Sequence, residues 1–261
     1  MLHPPKLLAG EGIRCPGCYV LRAALIPDAK IIRRAEEQQS MTSTKHSVFV
    51  TGSTGYLGRP LITELLRRGH QVRGLARTGS ESKLPSGCQP VLGDALDGNS
   101  YVQQIRPADT FVQLVGVAHP SPAKAAEFRS IDYASASGAI RAASQADIKH
   151  FIYLSVAHPA PMMKAYIEVR SECEALLRQS GMNATILRPW YVLGPGHRWP
   201  YALLPMYWLA ERLPSTRDGA RRLGLVTLDQ MKWALLDAVE HPPRSLRIVE
   251  VPEIRASAAL P

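Results

Sequence analysis

The residues whose spacing carries the most chemistry run from Val48 to Arg59: Val-Phe-Val-Thr-Gly-Ser-Thr-Gly-Tyr-Leu-Gly-Arg. Gly52, Gly55 and Gly58 stand three apart, between an apolar run and an amphipathic one. Glycine at the first position lets the chain turn sharply. At the second it lets backbone approach a pyrophosphate, and at the third it lets a helix pack closely on a sheet. The N–H groups of Ser53, Thr54, Gly55, Tyr56, Leu57 and Gly58, together with the dipole of the helix that follows, then hold phosphate oxygens. The competing reading is a glycine turn that only packs helix on sheet.

A second constellation lies further on. Tyr166 and Arg170 are at i and i+4, so they share one face of a helix. A free phenol, with a pKa of about 10, is a poor acid–base group at neutral pH and needs a nearby positive charge. Arg170 supplies one, but a guanidinium does not readily give up its proton. The alternative is a tyrosine packed on the sheet edge, with Arg170 paired to Glu174 one turn on. Reactive residue types also gather at Gly116–His119, Ser155–His158 and Pro189–Gly196, each after an apolar run. His119 and His158 are loop histidines able to carry a proton. Cys173, on the same helical face as Tyr166, reads as a small packed hydrophobe.

Positioning these residues requires alternating strands and helices. Strands are expected at Ser47–Thr51, Gln71–Ala76, Pro90–Leu92, Thr110–Val115, Phe151–Ser155, Ala184–Leu187 and Leu246–Val251. Helices are expected at Arg59–Gly69, Asn99–Ile105, Ala123–Gln145, Met163–Gln179, Tyr201–Leu213 and Asp229–Glu240. This order means βαβ units and a parallel sheet with right-handed crossovers: an α/β, Rossmann-like, doubly wound fold. Ligands of such open sheets lie at the carboxyl ends of the strands, where the three reactive clusters fall.

The whole chain is consistent with this reading. It has 261 residues, 46% of them apolar and 20% charged, which excludes wholesale disorder and a fibrous fold. There is no uninterrupted apolar run of about 18 residues, so no membrane span is expected. Four cysteines are too few for a disulfide scaffold, and a cytoplasmic setting follows. The net charge of +9 favours anionic partners. No nucleic-acid module is visible, so the expected partner is a small-molecule substrate, with the chain a monomer or homodimer. Residues 1–46 read as a loose extension, with Met41 the preferred start. The Cys15–Cys18 pair has no second pair beside it and no metal role is assigned. Residues 47–253 form the domain, and 254–261 form a tail.

The run from Thr51 to Arg77 resembles the opening of the atypical and extended short-chain dehydrogenase/reductases, near the NmrA-like NAD(P)H-binding proteins and the NAD-dependent epimerase/dehydratases. Later marks are Leu92-Gly93-Asp94, Tyr153-Leu154-Ser155, Leu187-Arg188-Pro189 and Gly194-Pro195-Gly196. The resemblance implies a catalytic set in which Ser155 orients a carbonyl, Tyr166 moves the proton, and the residue four after it lowers the tyrosine pKa. That last position is Arg170 here, where the family usually has lysine, and Ser155 is closer to Tyr166 than usual. The resemblance also places Asp94 at the adenine, or else as a helix N-cap, and Val115 and Gly116 along the nucleotide.

Readers of NAD place an acid at the end of the second strand. Here that region is Val72-Arg73-Gly74-Leu75-Ala76-Arg77, without one. Arg77 stands where relatives bind the extra phosphate of NADP, so NADP is favoured and NAD remains the alternative. Arg59 and Lys83 add charge nearby.

Trp190, Tyr191, His197, Arg198, Trp199, Tyr201, Tyr207 and Trp208 crowd a C-terminal lobe spanning about 189–253, which in relatives holds the substrate. A second small core or a dimer surface is the other reading. Tyr201–Ala210 is apolar enough to touch lipid, but Pro200 and Pro205 interrupt it and the sequence shows no basic amphipathic face. The expected function is NADP-dependent hydride transfer to a small carbonyl compound. The alternatives are a non-catalytic NAD(P)H-binding regulator or assembly factor, and a nucleotide-sugar epimerase/dehydratase.

Overall fold

Val48, Phe49 and Val50 are all fully buried although they alternate across a strand, and only a sheet covered on both faces allows that. The computed structural model describes residues 44–195, 204–214 and 216–257. The expectations for Cys15, Cys18, Met41, Gly196, His197, Arg198, Trp199, Pro200 and Tyr201 lie outside the described residues. The strands are β1 (Ser47–Thr51), β2 (Gln71–Ala76), β3 (Gln89–Leu92), β4 (Thr110–Gln113), β5 (His150–Leu154), β6 (Asn183–Arg188), β7 (Tyr191–Leu193), β8 (Leu225–Thr227) and β9 (Leu246–Glu250). Seven of them form one parallel sheet in the order β3-β2-β1-β4-β5-β6-β9. The order reverses between β1 and β4, and a ligand crevice opens at such a reversal.

The helices are α1 (Gly58–Arg67), α2 (Ala134–Gln145), α3 (Lys164–Gln179), α4 (Leu204–Ala210), α5 (Arg217–Arg222), α6 (Leu228–Glu240) and α7 (Val251–Ala256). Helix α1 sets Leu61, Ile62 and Leu65 against the sheet, and the chain leaves it through Gly69 at φ 81°. On that face Val48, Val50, Val112 and Ile152 pack against α1, α6 and α7. On the other face Phe49, Phe111 and Phe151 stand on adjacent strands, with ring centroids 5.2 and 5.1 Å apart, under α2 and α3. Helix α6 starts with a reciprocal capping box between Thr227 and Gln230.

The order and type of the main elements follow the sequence expectation, with local differences. Asn99–Ile105 is not a continuous helix but two short 3-10 turns, Gly98–Ser100 and Val102–Gln104. The expected helix Ala123–Gln145 begins at Ala125 and is π-helical from Phe128 to Tyr133. Three elements were not anticipated: the parallel pair β7–β8, helix α5, and helix α7, which starts inside the expected last strand. Strand β9 joins the edge of the main sheet beside β6, so the C-terminal segment does not stand wholly apart from it.

Candidate functional site

The turn after β1 is built almost entirely from backbone. Gly52 sits at φ +69°, in the left-handed region, and an added Cβ would lie 3.0 Å from the Leu114 carbonyl carbon. A Cβ on Gly58 would collide with the Gly52 carbonyl oxygen and lie 2.8 Å from Ser53 Cα. The Gly55 N–H donates to the Gly52 carbonyl at 3.0 Å, which closes the turn. Ser53 is fully buried and its hydroxyl donates to the Leu75 carbonyl at 2.5 Å, tying the turn to β2. No side chain caps the start of α1 at Leu57, and the Arg59 N–H donates to the Gly55 carbonyl at 3.2 Å. Thr54 is half-buried, and Tyr56 is exposed with its phenol packed against Gly194 of the C-terminal segment.

At the end of β2, Arg77 is exposed and makes no side-chain hydrogen bond or ion pair among the described residues. No carboxylate follows β2 before Glu81. Asp94 follows β3, and its Oδ1 accepts from the Leu96 N–H at 3.0 Å, closing an Asx turn rather than capping a helix. A groove of about 780 Å³ borders the glycine turn and runs along the outer side of α1, between Arg59, Thr63, Pro85, Pro195 and Leu228. Tyr166 does not line it.

Across the sheet, the ends of β4, β5 and β6 meet two buried ion pairs. Arg170 is 4% exposed, and both terminal nitrogens of its guanidinium are engaged: Nη2 donates to Asp132 Oδ1, and Nη1 donates to the Leu154 carbonyl at 2.6 Å, while the buried Nε finds no partner among the described residues. Its guanidinium carbon lies 5.1 Å from the Tyr166 ring centroid and 5.7 Å from that of Tyr153. Asp132 rides on the π-helical turn and also accepts the Val117 N–H at 3.1 Å. Gly116 passes directly over the pair, where a Cβ would collide with Arg170 Nη2 and come within 2.8 Å of Asp132 Oδ1. Val115 beside it is half-buried. Burial raises the Tyr166 pKa above its ordinary value, the Arg170 charge pulls it down, and the Asp132 charge pushes it back up, leaving it raised.

The second pair centres on Glu174, which is 1% exposed. Arg188 donates to it twice, from Nε at 3.0 Å and from Nη2 at 2.5 Å, while Arg188 Nη1 reaches Glu250 at 3.0 Å. The Ser155 hydroxyl donates to Glu174 Oε1 at 2.6 Å. His158 Nε2 faces the same oxygen at 3.6 Å. Burial works against ionisation of Glu174, but the Arg188 and Ser155 hydrogen bonds and the Arg188 and His158 charges hold its pKa below the ordinary value.

The structure therefore brings Tyr166 and Arg170 together and engages the Ser155 hydroxyl in a hydrogen bond to Glu174. Arg170 pairs with Asp132 instead of with Glu174, because its side chain reaches under the β4 loop while Glu174 faces β6. Cys173 is fully buried in the core. Asp132 and Glu250 were missed, and Glu174 was expected beside Arg170 but pairs with Arg188. A carboxylate in a helical run gives no local sign of burial. The one available clue was Arg188 at the end of an apolar strand, where burial would leave it needing a counter-charge.

Residues 52–198, more than half of the chain, match the family described as NAD(P)H-binding. The chain belongs to that family. A 4-hydroxy-2-methyl-3-oxo-4-farnesyl-3,4-dihydroquinoline-1-oxide ketoreductase of Stigmatella aurantiaca is 27% identical over 199 residues, covering 67% of this chain and 58% of the relative. A photosystem II assembly factor, Ycf39, of Cyanophora paradoxa is 28% identical over 150 residues, covering 54% of this chain and 44% of the factor. The chain thus spans only about half the length of these curated relatives. The crystal structure of the Bordetella bronchiseptica enzyme WbmH in complex with NAD+ superposes with a TM-score of 0.59 at 20% identity, covering 82% of this chain and 80% of that one. This likeness bears out the Rossmann-like fold, and the family match bears out the resemblance to NAD(P)H-binding proteins. The dinucleotide fits the residues present, since the glycine cradle is one that a Cβ would fill. Among the described residues no helix is long and apolar enough to cross a membrane, and no His/Cys/Asp/Glu group could hold a metal ion.

Proposed function

We propose that this chain is an NADP-dependent oxidoreductase acting on a small carbonyl compound in a reducing, cytoplasmic setting. The observation that carries the cofactor choice is Arg77, an unpaired guanidinium at the end of β2 with no carboxylate beside it. A planar fork suits the 2′-phosphate, and an acid there would repel it. NADPH, when bound, supplies the hydride. The chain's own part is to cradle phosphates at Gly52–Gly58, to pass Val115 and Gly116 along the nucleotide, and to hold a proton at the Tyr166 phenol. Arg170 acts through charge alone, since it does not deprotonate. Ser155 orients a carbonyl only when its hydroxyl turns its hydrogen bond away from Glu174.

A second reading is favoured by the same pairs. Asp132 neutralises Arg170, Ser155 is committed to Glu174, and the Tyr166 pKa is raised. That arrangement suits an NAD(P)H-binding regulator without turnover, a class to which the assembly-factor relative lends support.

Titration of the full chain with NADPH and NADH, by fluorescence and calorimetry, tests the first part. The expected outcome is tighter NADPH binding, weakened about tenfold by Arg77→Ala with NADH unaffected, as loss of a charge-assisted contact requires. Equal affinity for the two nucleotides would refute the NADP assignment. Turnover of a carbonyl panel by wild type but not by Tyr166→Phe selects the oxidoreductase. Tight NADPH binding with no turnover selects the regulator.

A further inference from the structure

Half of the large apolar side chains exposed on the described surface lie within eight residues of the C-terminal segment. Met206, Trp208, Leu209 and Leu213 are 48–57% exposed, and the other four are Tyr56, the pair Leu92 and Leu96, and Met162. Scattered residues are normal surface, whereas a contiguous group marks a contact. The patch is presented by a fixed scaffold. The Thr216 hydroxyl donates to the Ala210 carbonyl at 2.7 Å, Arg217 Nε donates to the Glu211 carbonyl at 3.3 Å, and Arg255 Nη1 donates to Glu211 Oε1 at 2.6 Å. These bonds hold the inner side of the turn and leave the apolar side chains outward.

The charges around the patch say what it meets. Arg212 lays its guanidinium over the Trp208 ring, 3.5 Å from the centroid. Arg217 is anchored beside the same turn, and Arg221 is exposed on α5. Residues 204–222 hold Arg212, Arg217, Arg221 and Arg222 against Glu211 and Asp218, and Glu211 is already paired with Arg255. The basic face that was missing from Tyr201–Ala210 in sequence is thus supplied by the residues just after it. Tryptophan beside aliphatic side chains and arginine is the composition of an interfacial contact, with rings at headgroup depth and guanidiniums on phosphates. A twofold contact with a second copy would set these arginines against their own counterparts, on a chain whose net charge is +9.

We propose that the α4–α5 segment, Met206 to Arg221, docks the protein onto an anionic lipid surface without spanning it. This goes beyond the oxidoreductase reading and does not depend on it.

The test is co-sedimentation of the full chain with vesicles of phosphatidylcholine alone and with vesicles containing phosphatidylglycerol. Size-exclusion chromatography without lipid runs alongside. The expected result is binding to the anionic vesicles only, weakened about tenfold or more by Trp208→Ser with Leu209→Ser, and comparably by Arg212→Glu with Arg221→Glu. All four side chains are exposed, so melting temperatures and NADPH titration should match wild type in both double variants. No binding to either vesicle overturns the proposal. So does anionic binding that survives loss of Trp208 and Leu209, which would be bulk attraction by a basic chain. A dimer abolished by the Trp208 and Leu209 changes would reassign the patch to self-association.

Discussion

The two halves of the nucleotide crevice are made of different materials. On the β1 side, the Gly52–Gly58 turn is shaped by main chain, with the Ser53 hydroxyl tying it to β2. On the β5–β6 side, the strand ends are shaped by buried charge, Arg170 with Asp132 and Arg188 with Glu174. A main-chain cradle needs only the absence of side chains and tolerates nothing added. A charge-built wall needs every partner present, because a buried ion left alone is costly. The second can be re-paired, one ion pair exchanged for another or for apolar side chains.

The largest expected effect breaks the charge-built side. Asp132→Ala strands Arg170 in the core and should destabilise the protein by about 3–5 kcal/mol in urea unfolding. Adding Arg170→Met should return most of that loss, because the double change removes both charges. If the single variant were nearly neutral, the pair would not be what holds that wall.

The main-chain side should break differently. Gly58→Val puts branched carbons into Ser53 Cα and the Gly52 carbonyl, with a cost of about 3 kcal/mol. No second-site partner can rescue it, and calorimetry should show NADPH binding lost even where the variant remains folded.

The smallest effect separates the two ends of β5. His150, at its start, is buried, and Nε2 lies 2.9 Å from the Thr185 hydroxyl. Burial first, and the His46 charge second, lower its pKa from 6.5 to about 4. The unfolded state therefore takes up a proton that the folded state refuses. Stability from this group is complete above pH 6.5 and falls as pH drops toward 4, by up to roughly 3 kcal/mol. Glu174, at the other end, has a lowered pKa, so its contribution fades only at more acid pH, below about 4.5. Unfolding midpoints from pH 7.5 to 4 should fall steadily in wild type and flatten in His150→Gln. An unchanged slope in that variant would assign the acid sensitivity to other groups.

Legibility in the sequence follows the same division. Gly52, Gly55 and Gly58 could be read because their conformation is local and follows from residue type. The succession of strands and helices could be read because β1, β5 and β6 are largely apolar runs separated by helical ones. The ion pairs could not be read: Asp132 and Arg170 are 38 residues apart, and Arg188 reaches Glu250 across 62. Arg170 read against its own helix suggests Glu174, the local partner, and only the fold places Asp132 closer. Strands β7 and β8 escaped because three residues are too short to show a period.

The π-helical stretch Phe128–Tyr133 sets the register of everything after it. A wide turn accommodates one residue more than an α-helical turn, so it behaves as an insertion that the fold has absorbed. Removing one residue from Arg129–Ile131 should let the stretch tighten into ordinary helix. Position 132 would then rotate by about 100° relative to the segment before it. The carboxylate would swing off Arg170 although no residue touching either had been changed. The spacing upstream of Asp132 is therefore as much a determinant of the site as its chemistry, and tolerance to deletion should be lowest where tolerance to substitution is high.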